Sequence, residues 1–347
     1  MDFAFSEEQE MLRAAARSWL KAQYPADRMV SAADSERGWD PRSWQELDSL
    51  GWLDPGLGML EYAVLAEEAG YALYAGPWWS TAALAAPVLG AMPDQPTTLA
   101  WAEPGTPDLR SAGRSSTMTA TRAGEAWELT GSKLRVPDLA IADSVLVVAG
   151  AEGGSGIWQT QLPEHGVTPL STMDTTRRLA GLRLDSAAAT MVIEPGEASD
   201  VLVRVRRRSV ALLSCEAVGI AQRALDLCSA HAKERIQFGR PIGSYQGVSH
   251  RVADVYTALQ LSRSLAYWAA WAVDADAPDV DHAVTVAAVS AGEGAVRACE
   301  SAIQVMGGIG FTWDHPVHRS YKRAQWIAAF DGTARSRRAE VAAALLD

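Results

Sequence analysis

The run from Ser209 to Glu234 constrains this chain most: it is rich in Ala and Leu and contains no proline. At 1.5 Å per residue a helix over it spans about 40 Å. A helix that long buries its apolar stripe only against other long helices, so the chain must supply some. Ser244–Val273 and Asp281–Met306 read as two, and a shorter one is expected from about Thr333 to Leu346. Long antiparallel helices joined by short loops predict a four-helix bundle over residues 205–347.

Residues 93–204 have a different texture. Short β-prone runs (Thr98–Trp101, Thr117–Ala120, Trp127–Leu129, Ser144–Ala149, Gly156–Gln159, Thr190–Ile193) alternate with turn residues, and no helix-length periodic segment separates them. That disfavours a parallel βαβ sheet and predicts a small antiparallel barrel or sandwich. Residues 1–92 read as helical. Ser6 and Gln9 have capping-box spacing ahead of Leu12, Ala15, Trp19 and Leu20 on one face. Asp40, Pro41 and Gly51 punctuate a second helix that turns Trp44, Leu47 and Leu50 inward; Met59–Leu73 and Trp78–Leu89 follow. The predicted class is mainly α with a central β-domain: an N-terminal helical domain (1–92), an antiparallel β-barrel (93–204) and a C-terminal four-helix bundle (205–347).

Charge and cysteine usage narrow the function. Lys and Arg number 31 against 42 Asp and Glu, a net charge of −11. A general phosphate-backbone binder concentrates positive charge, so no nucleic-acid partner is expected, and an anionic ligand must meet a local Arg cluster. Cys215, Cys228 and Cys299 are odd in number, widely spaced and set in helical text, which reads as reduced, buried thiols in a cytoplasmic protein. The first residues lack a basic, apolar leader and no run reaches the roughly 18 apolar residues of a spanning helix, so no membrane partner is expected. The six His have no zinc-enzyme spacing, and neither a GxSxG nor a Walker-type lysine loop occurs, so no metal is expected.

Three segments carry candidate chemistry, each with two readings. Arg235–Gln246 holds Arg235, Gln237, Phe238, Gly239 and Arg240. Arg near a helix end, a stopping Gly239, Pro241 and a capping Ser244 suffice for a helix–loop–helix joint. Equally, Phe238 between two Arg is a natural seat for an adenine and its phosphates. Gln304–Phe311 closes the third long helix with Gly307, Gly308 and Gly310, either to end it or to admit a ligand against the backbone. Its glycines follow a helix, so this is not a GxGxxG dinucleotide fingerprint. In Phe330–Arg335, Asp331 stands at or near an N-cap, where a carboxylate stabilises the first turn or serves as a general base.

Taken together and in this order, Arg235-x-x-Phe238-Gly239 with Gln246, Gln304-x-x-Gly307-Gly308-x-Gly310-Phe311, and Asp331-Gly332-Thr333 resemble the three C-terminal signatures of the flavin-dependent acyl-CoA dehydrogenase family. Ala102-Glu103-Pro104, Gly131-Ser-Lys133 and Ala142-Asp143 extend the resemblance over nearly the whole chain. It implies the same three-part fold, a tetramer, and FAD lying across a subunit interface. Carried over, Arg235, Gln237 and Phe238 hold the pyrophosphate and adenine side of a neighbour's flavin, with Gln304, Gly307 and Gly308 approaching the same half. Thr333 touches the flavin on this chain's own side, and Asp331 takes the place of the family's catalytic Glu. The implied reaction is α,β-dehydrogenation of an acyl-CoA thioester, with an electron-transfer flavoprotein as acceptor.

Departures from the family pattern cluster at the flavin ring. Where the family typically has Thr-Glu-Pro and a hydroxyl-bearing turn, this chain has Ala102-Glu103-Pro104 and then Gly105-Thr-Pro-Asp108; the second strand reads Lys133-Leu-Arg135-Val-Pro137, and a proline offers no donor there. The chain therefore resembles the flavin-completing subunit of the actinobacterial heterotetramers, some of which act on steroid side-chain CoA esters. Two alternatives stand beside that reading: a self-sufficient homotetramer with Asp331 as base, for which Glu216 is a weaker substitute, and a flavin-free scaffold.

Overall fold

The computed structural model describes residues 5–35, 37–106, 108–124 and 126–346. In chain order the helices are α1 (Glu7–Gln23), α2 (Ala26–Asp34), α3 (Arg42–Ser49), α4 (Met59–Ala72), α5 (Ala86–Leu89), α6 (Leu109–Ala112), α7 (Ala198–Glu234), α8 (Gln246–Asp274), α9 (Val280–Met306), α10 (Val317–Ala329) and α11 (Ala334–Leu346). The strands are β1 (Thr97–Ala100), β2 (Thr119–Ala123), β3 (Ala126–Pro137), β4 (Ser144–Ala151), β5 (Gly154–Gln161), β6 (Val167–Pro169), β7 (Leu179–Ile193), β8 (Ile236–Gln237) and β9 (Arg240–Pro241). Two compact units result: residues 5–32, 57–74 and 210–346 form a helical one, and residues 33–56 and 75–209 form one built on the sheet.

In the helical unit α1 starts as its spacing predicts. Ser6 Oγ accepts from the Gln9 amide at 3.1 Å while Gln9 Oε1 accepts from the Ser6 amide at 3.0 Å. Helix α4 is buried on almost every side and crosses α7 backbone to backbone. A Cβ on Gly219 would lie 1.9 Å from the Glu67 carbonyl oxygen, and one on Gly70 would lie 2.1 Å from that of Glu216. Those contacts account for two glycines inside helices, where each costs about 1 kcal/mol relative to alanine. Helix α9 buries a row of small side chains that includes Ala287, Ala291, Ala295, Ala298 and Ala302.

Two features of the long helices depart from expectation. Helix α7 begins at Ala198, well before Ser209, because the basic stretch 204–208 rides on a stripe of buried Val201, Leu202 and Val205. Helix α10, which was not predicted, buries Val317, Ala324 and Ile327 at helical spacing.

In the sheet unit the strands run β1-β4-β2-β3-β7-β5, and β5 returns to β4, which closes a barrel of β4, β2, β3, β7 and β5. The barrel is not wholly antiparallel as expected: β1 and β2 both lie parallel to β4. Parallel partners need a long crossover, which residues 101–143 provide for β1 and β4. Met118, Leu129, Val145, Val147, Trp158 and Leu182 fill the interior. Strand β3 is kinked by irregularities at Leu129/Gly131 and Lys133/Val136. At the first, Gly131 adopts φ 143°, and a Cβ there would meet Met118 Cα at 2.8 Å. The predicted helix from Trp78 to Leu89 is present, but Ser80–Ala85 widens into a π-helical turn before α5.

The fold is thus mainly helical with a central closed barrel. Cys215, Cys228 and Cys299 are free and buried, as their spacing suggested. Among the described residues no helix is long and apolar enough to cross a membrane.

Candidate functional site

Helix α7 ends at Glu234, and the chain turns back through the β8–β9 hairpin. Phe238 (φ 53°) and Gly239 (φ 78°) form its two-residue turn, both left-handed. Such turns favour Asn-Gly, so a phenylalanine at the first position is a strained choice. Gly239 therefore shapes the hairpin and does not stop the helix. Ser244 does not cap α8 either, because its hydroxyl donates to the Pro241 carbonyl and Tyr245 occupies the cap position. Tyr245 braces the hairpin. Its hydroxyl donates to the Gln237 carbonyl at 3.1 Å, its ring meets Phe238 edge-on at 6.4 Å, and Arg240 lies over it at 4.1 Å. Arg235 and Gln237 are exposed, and Phe238 is 90% exposed.

The glycine turn after α9 is also presented outward. Gln304 and Gly308 are exposed, Gly307 has φ 62°, and Phe311 and Trp313 are 76% and 73% exposed. A Cβ on Gly310 would strike the Ile303 carbonyl at 2.8 Å, so that glycine is needed for the chain's own packing. Gly308 differs: its φ is ordinary and nothing lies within 4 Å of where a Cβ would stand. Burial, with His231 and Arg223 nearby, lowers the pKa of His315.

Asp331 lies between α10 and α11 with φ 54°, followed by Gly332 at φ 128°. The helix cap is Thr333, not Asp331: Thr333 Oγ1 accepts from the Ser336 amide at 3.1 Å. Thr333 is exposed and Asp331 is half-buried two residues ahead of that cap. Arg337 holds this turn by donating to the carbonyls of Ala328 and Phe330. A void of about 10 Å³, lined in part by Val210, Ile327, Phe330 and Arg337, lies on the bundle side of Phe330, room for one water at most. Glu216 is buried in an ion pair with Arg323 on α10, a structural engagement that removes it as a candidate base.

In the sheet unit, two sequence motifs turn out to be one feature. Glu103 and Lys133 form a buried ion pair at 2.5 Å. Glu103 also accepts from the Ser116 hydroxyl (2.5 Å), the Thr117 amide and hydroxyl (2.6 and 2.7 Å) and the Met118 amide (3.2 Å). Burial opposes the charge on Glu103, but Lys133, Ser116 and Thr117 together outweigh it and hold the carboxyl at about 2. Burial pushes Lys133 down to about 8 despite the pull of Glu103. The pair fixes the segment after β1 against β3, where Leu134 donates its amide to Ala102. Neither Ala102 nor Pro137 has a side-chain donor, and the Pro137 carbonyl is engaged by the Thr98 hydroxyl at 2.7 Å.

Comparison with known proteins gives this geometry a lineage. The acyl-CoA dehydrogenase C-terminal domain matches residues 208–346. Acyl-CoA dehydrogenase IpdE2 of Mycobacterium tuberculosis is 31% identical over 335 residues, 93% of this chain and 92% of its own length. The chain belongs to the acyl-CoA dehydrogenase family. The family is one of flavoprotein oxidoreductases, so the chain is an enzyme of that class. Among solved structures, the ChsE4–ChsE5 complex from Mycobacterium tuberculosis is similar with a TM-score of 0.86 at 26% identity, covering 100% of this chain and 99% of that one. The Tcur3481–Tcur3483 steroid ACAD superposes with a TM-score of 0.83 at 27% identity, covering 98% of both chains.

The motif residues were legible, but their engagements were not. Nothing in the local text around Glu103 and Lys133 marks them as partners thirty residues apart. Glu216 and Arg323 carry only the signal that a charge falls on an otherwise apolar helical stripe.

Proposed function

We propose that this chain is the flavin-completing subunit of a two-chain acyl-CoA dehydrogenase acting by α,β-dehydrogenation, with steroid side-chain CoA esters the favoured substrates. One observation carries the reading: the adenine-side motifs are intact and stand on the outside of the chain, whereas the ring-side positions lack donors. A phenylalanine held outward in a strained turn beside Arg235 and Arg240, and a glycine at 308 that the chain's own packing does not require, suit a nucleotide covered from the other side by a second polypeptide. FAD fits there through its adenine and pyrophosphate. Ala102 offers no side-chain hydroxyl to an isoalloxazine, and Pro137 offers neither a hydroxyl nor a backbone N–H. The solved relatives that pair two different chains, one of them a steroid enzyme, support the same assembly and substrate.

In this reading Arg235 and Gln237 hold the pyrophosphate, Phe238 stacks on adenine, and Gln304 with the Gly307–Gly308 backbone approaches the same half. Thr333 spends its hydroxyl on the α11 cap and contributes little to the flavin. In the self-sufficient alternative, Asp331 is the acceptor for the proton on the carbon α to the thioester. The chemistry FAD supplies when bound is uptake of the β-hydrogen as hydride. Aspartate is one methylene shorter than glutamate, roughly 1.5 Å, and a displacement of that order costs about a hundredfold in rate. A self-sufficient site built on Asp331 is accordingly slow, and with one FAD per two chains the working base comes from the paired chain.

The test is flavin absorbance per protomer, for the chain purified alone and co-expressed with its chromosomal neighbours. About one FAD per two chains, appearing only with a partner, is expected. One FAD per chain without a partner would favour the homotetramer, and none in either preparation would favour a scaffold.

A further inference from the structure

The helical unit contains a cavity of about 820 Å³ between α1, α4, α7 and α8, whose lining includes no residue of the hairpin, the glycine turn or the Asp331 turn. That volume suits a small organic ligand. Its walls carry five cations, Arg13, Arg17, Lys21, Arg223 and Arg263, against three carboxylates, Glu67, Glu68 and Asp226. The carboxylates are already engaged. Arg17 clamps Glu68 through two bonds of 2.9 and 2.7 Å. Glu67 receives Arg263 at 2.9 Å and the Tyr267 hydroxyl at 2.8 Å. Asp226 receives the Tyr71 hydroxyl at 3.0 Å and Gln222 at 2.8 Å.

Two cations remain. Arg223 makes one hydrogen bond, from Nη1 to the Tyr71 carbonyl at 3.1 Å, and its Nε is buried without a partner. Asp226 lies near enough to favour the charge but does not accept from it, and burial lowers the Arg223 pKa. With its Nε buried and unpartnered and its other donors open to the cavity, this guanidinium is one that an anion can complete. Among the described residues Lys21 has no ion pair, and it extends the positive rim. The remaining lining includes Leu20, Tyr24, Pro25 and Ala72, an apolar surface beside the charged one.

We infer that this cavity binds an amphipathic organic anion, a carboxylate or phosphate head held by Arg223 and Lys21 with its apolar body on Leu20, Tyr24 and Pro25. This is a ligand site independent of flavin and of the Asp331 turn. Calorimetric titration of the full chain, in the assembly in which it purifies, with octanoate, octyl phosphate and inorganic phosphate tests it. Octanoate and octyl phosphate should both bind, the better of them identifying the head group, and inorganic phosphate should bind at least tenfold more weakly than octyl phosphate. Arg223→Gln should weaken binding about tenfold or more, the worth of a charge-assisted hydrogen bond, and Arg235→Ala should leave it unchanged. Lys21→Ala, an exposed change that does not threaten the fold, should weaken it severalfold and keeps the test decisive should Arg223→Gln not fold. Absence of binding by both amphiphiles, or binding indifferent to both variants, would overturn the inference. Equal binding of inorganic phosphate would overturn its apolar half.

Discussion

Replacing Glu103 by glutamine isolates the buried pair that joins two motifs of the sheet unit. The side chain of Lys133 is 0% exposed, and without Glu103 its ammonium keeps only the Trp101 carbonyl at 3.4 Å and the Ser116 hydroxyl at 3.2 Å. Removing one member of a buried ion pair costs about 3–5 kcal/mol, because the other charge is left stranded. Lys133→Met should be milder, about 1–3 kcal/mol, since Glu103 retains four donors from Ser116, Thr117 and Met118. The double variant should cost little more than Lys133→Met, giving a coupling of roughly 2 kcal/mol or more.

The pH dependence follows from the same geometry. Glu103 is held at about 2 in the folded state against 4.5 ordinarily, so its stabilisation is present above pH 4.5 and is lost as pH falls from there toward 2. That difference is worth roughly 3 kcal/mol. Lys133, lowered from 10.5 to about 8, works oppositely: burying the charged lysine penalises the fold below pH 8, and the penalty is relieved as pH rises toward 10.5. Urea unfolding at pH 7, between pH 5 and 2.5, and between pH 8 and 10.5, read as midpoints at constant m, measures both effects. A Glu103→Gln loss below about 1 kcal/mol, or an acid limb identical to that of the parent, would refute the reasoning.

Three further outcomes are expected. Gly219→Ala drives a methyl to within 1.9 Å of the Glu67 carbonyl and should cost about 1–3 kcal/mol by urea unfolding, whereas alanine at the unpacked Gly247 should cost nothing. Thr333→Ala removes the α11 cap and should lower stability by about 1 kcal/mol without changing flavin content, measured by thermal melts and absorbance. Asp331→Asn should abolish whatever turnover depends on this chain's own base; retained activity in the homomeric protein would remove Asp331 from that role.

Much of this architecture was readable because it is local. The Ser6–Gln9 capping box, the Gly51 stop and the long α8 and α9 follow from spacing and punctuation within a few turns. What escaped depends on neighbours distant in sequence. Strand β7 contains Asp185, Ser186 and four alanines, a poor strand by propensity, yet it runs fifteen residues because β3, β5 and β6 pair with it. The parallel placement of β1 and β2 on β4 is likewise a property of closure. At the site, the motif residues were legible from their order, but whether Phe238 points out or in depends on a two-residue turn that could equally have ended a helix.

The most direct measurement is FAD retention by the purified two-chain assembly carrying Arg235→Ala and Phe238→Ala on this chain alone. Loss of an adenine stack and a pyrophosphate contact should weaken FAD by at least a hundredfold, about 2.7 kcal/mol, and leave the complex depleted after gel filtration while still assembled. Full retention of FAD by that variant would show that the nucleotide lies elsewhere and would contradict the account.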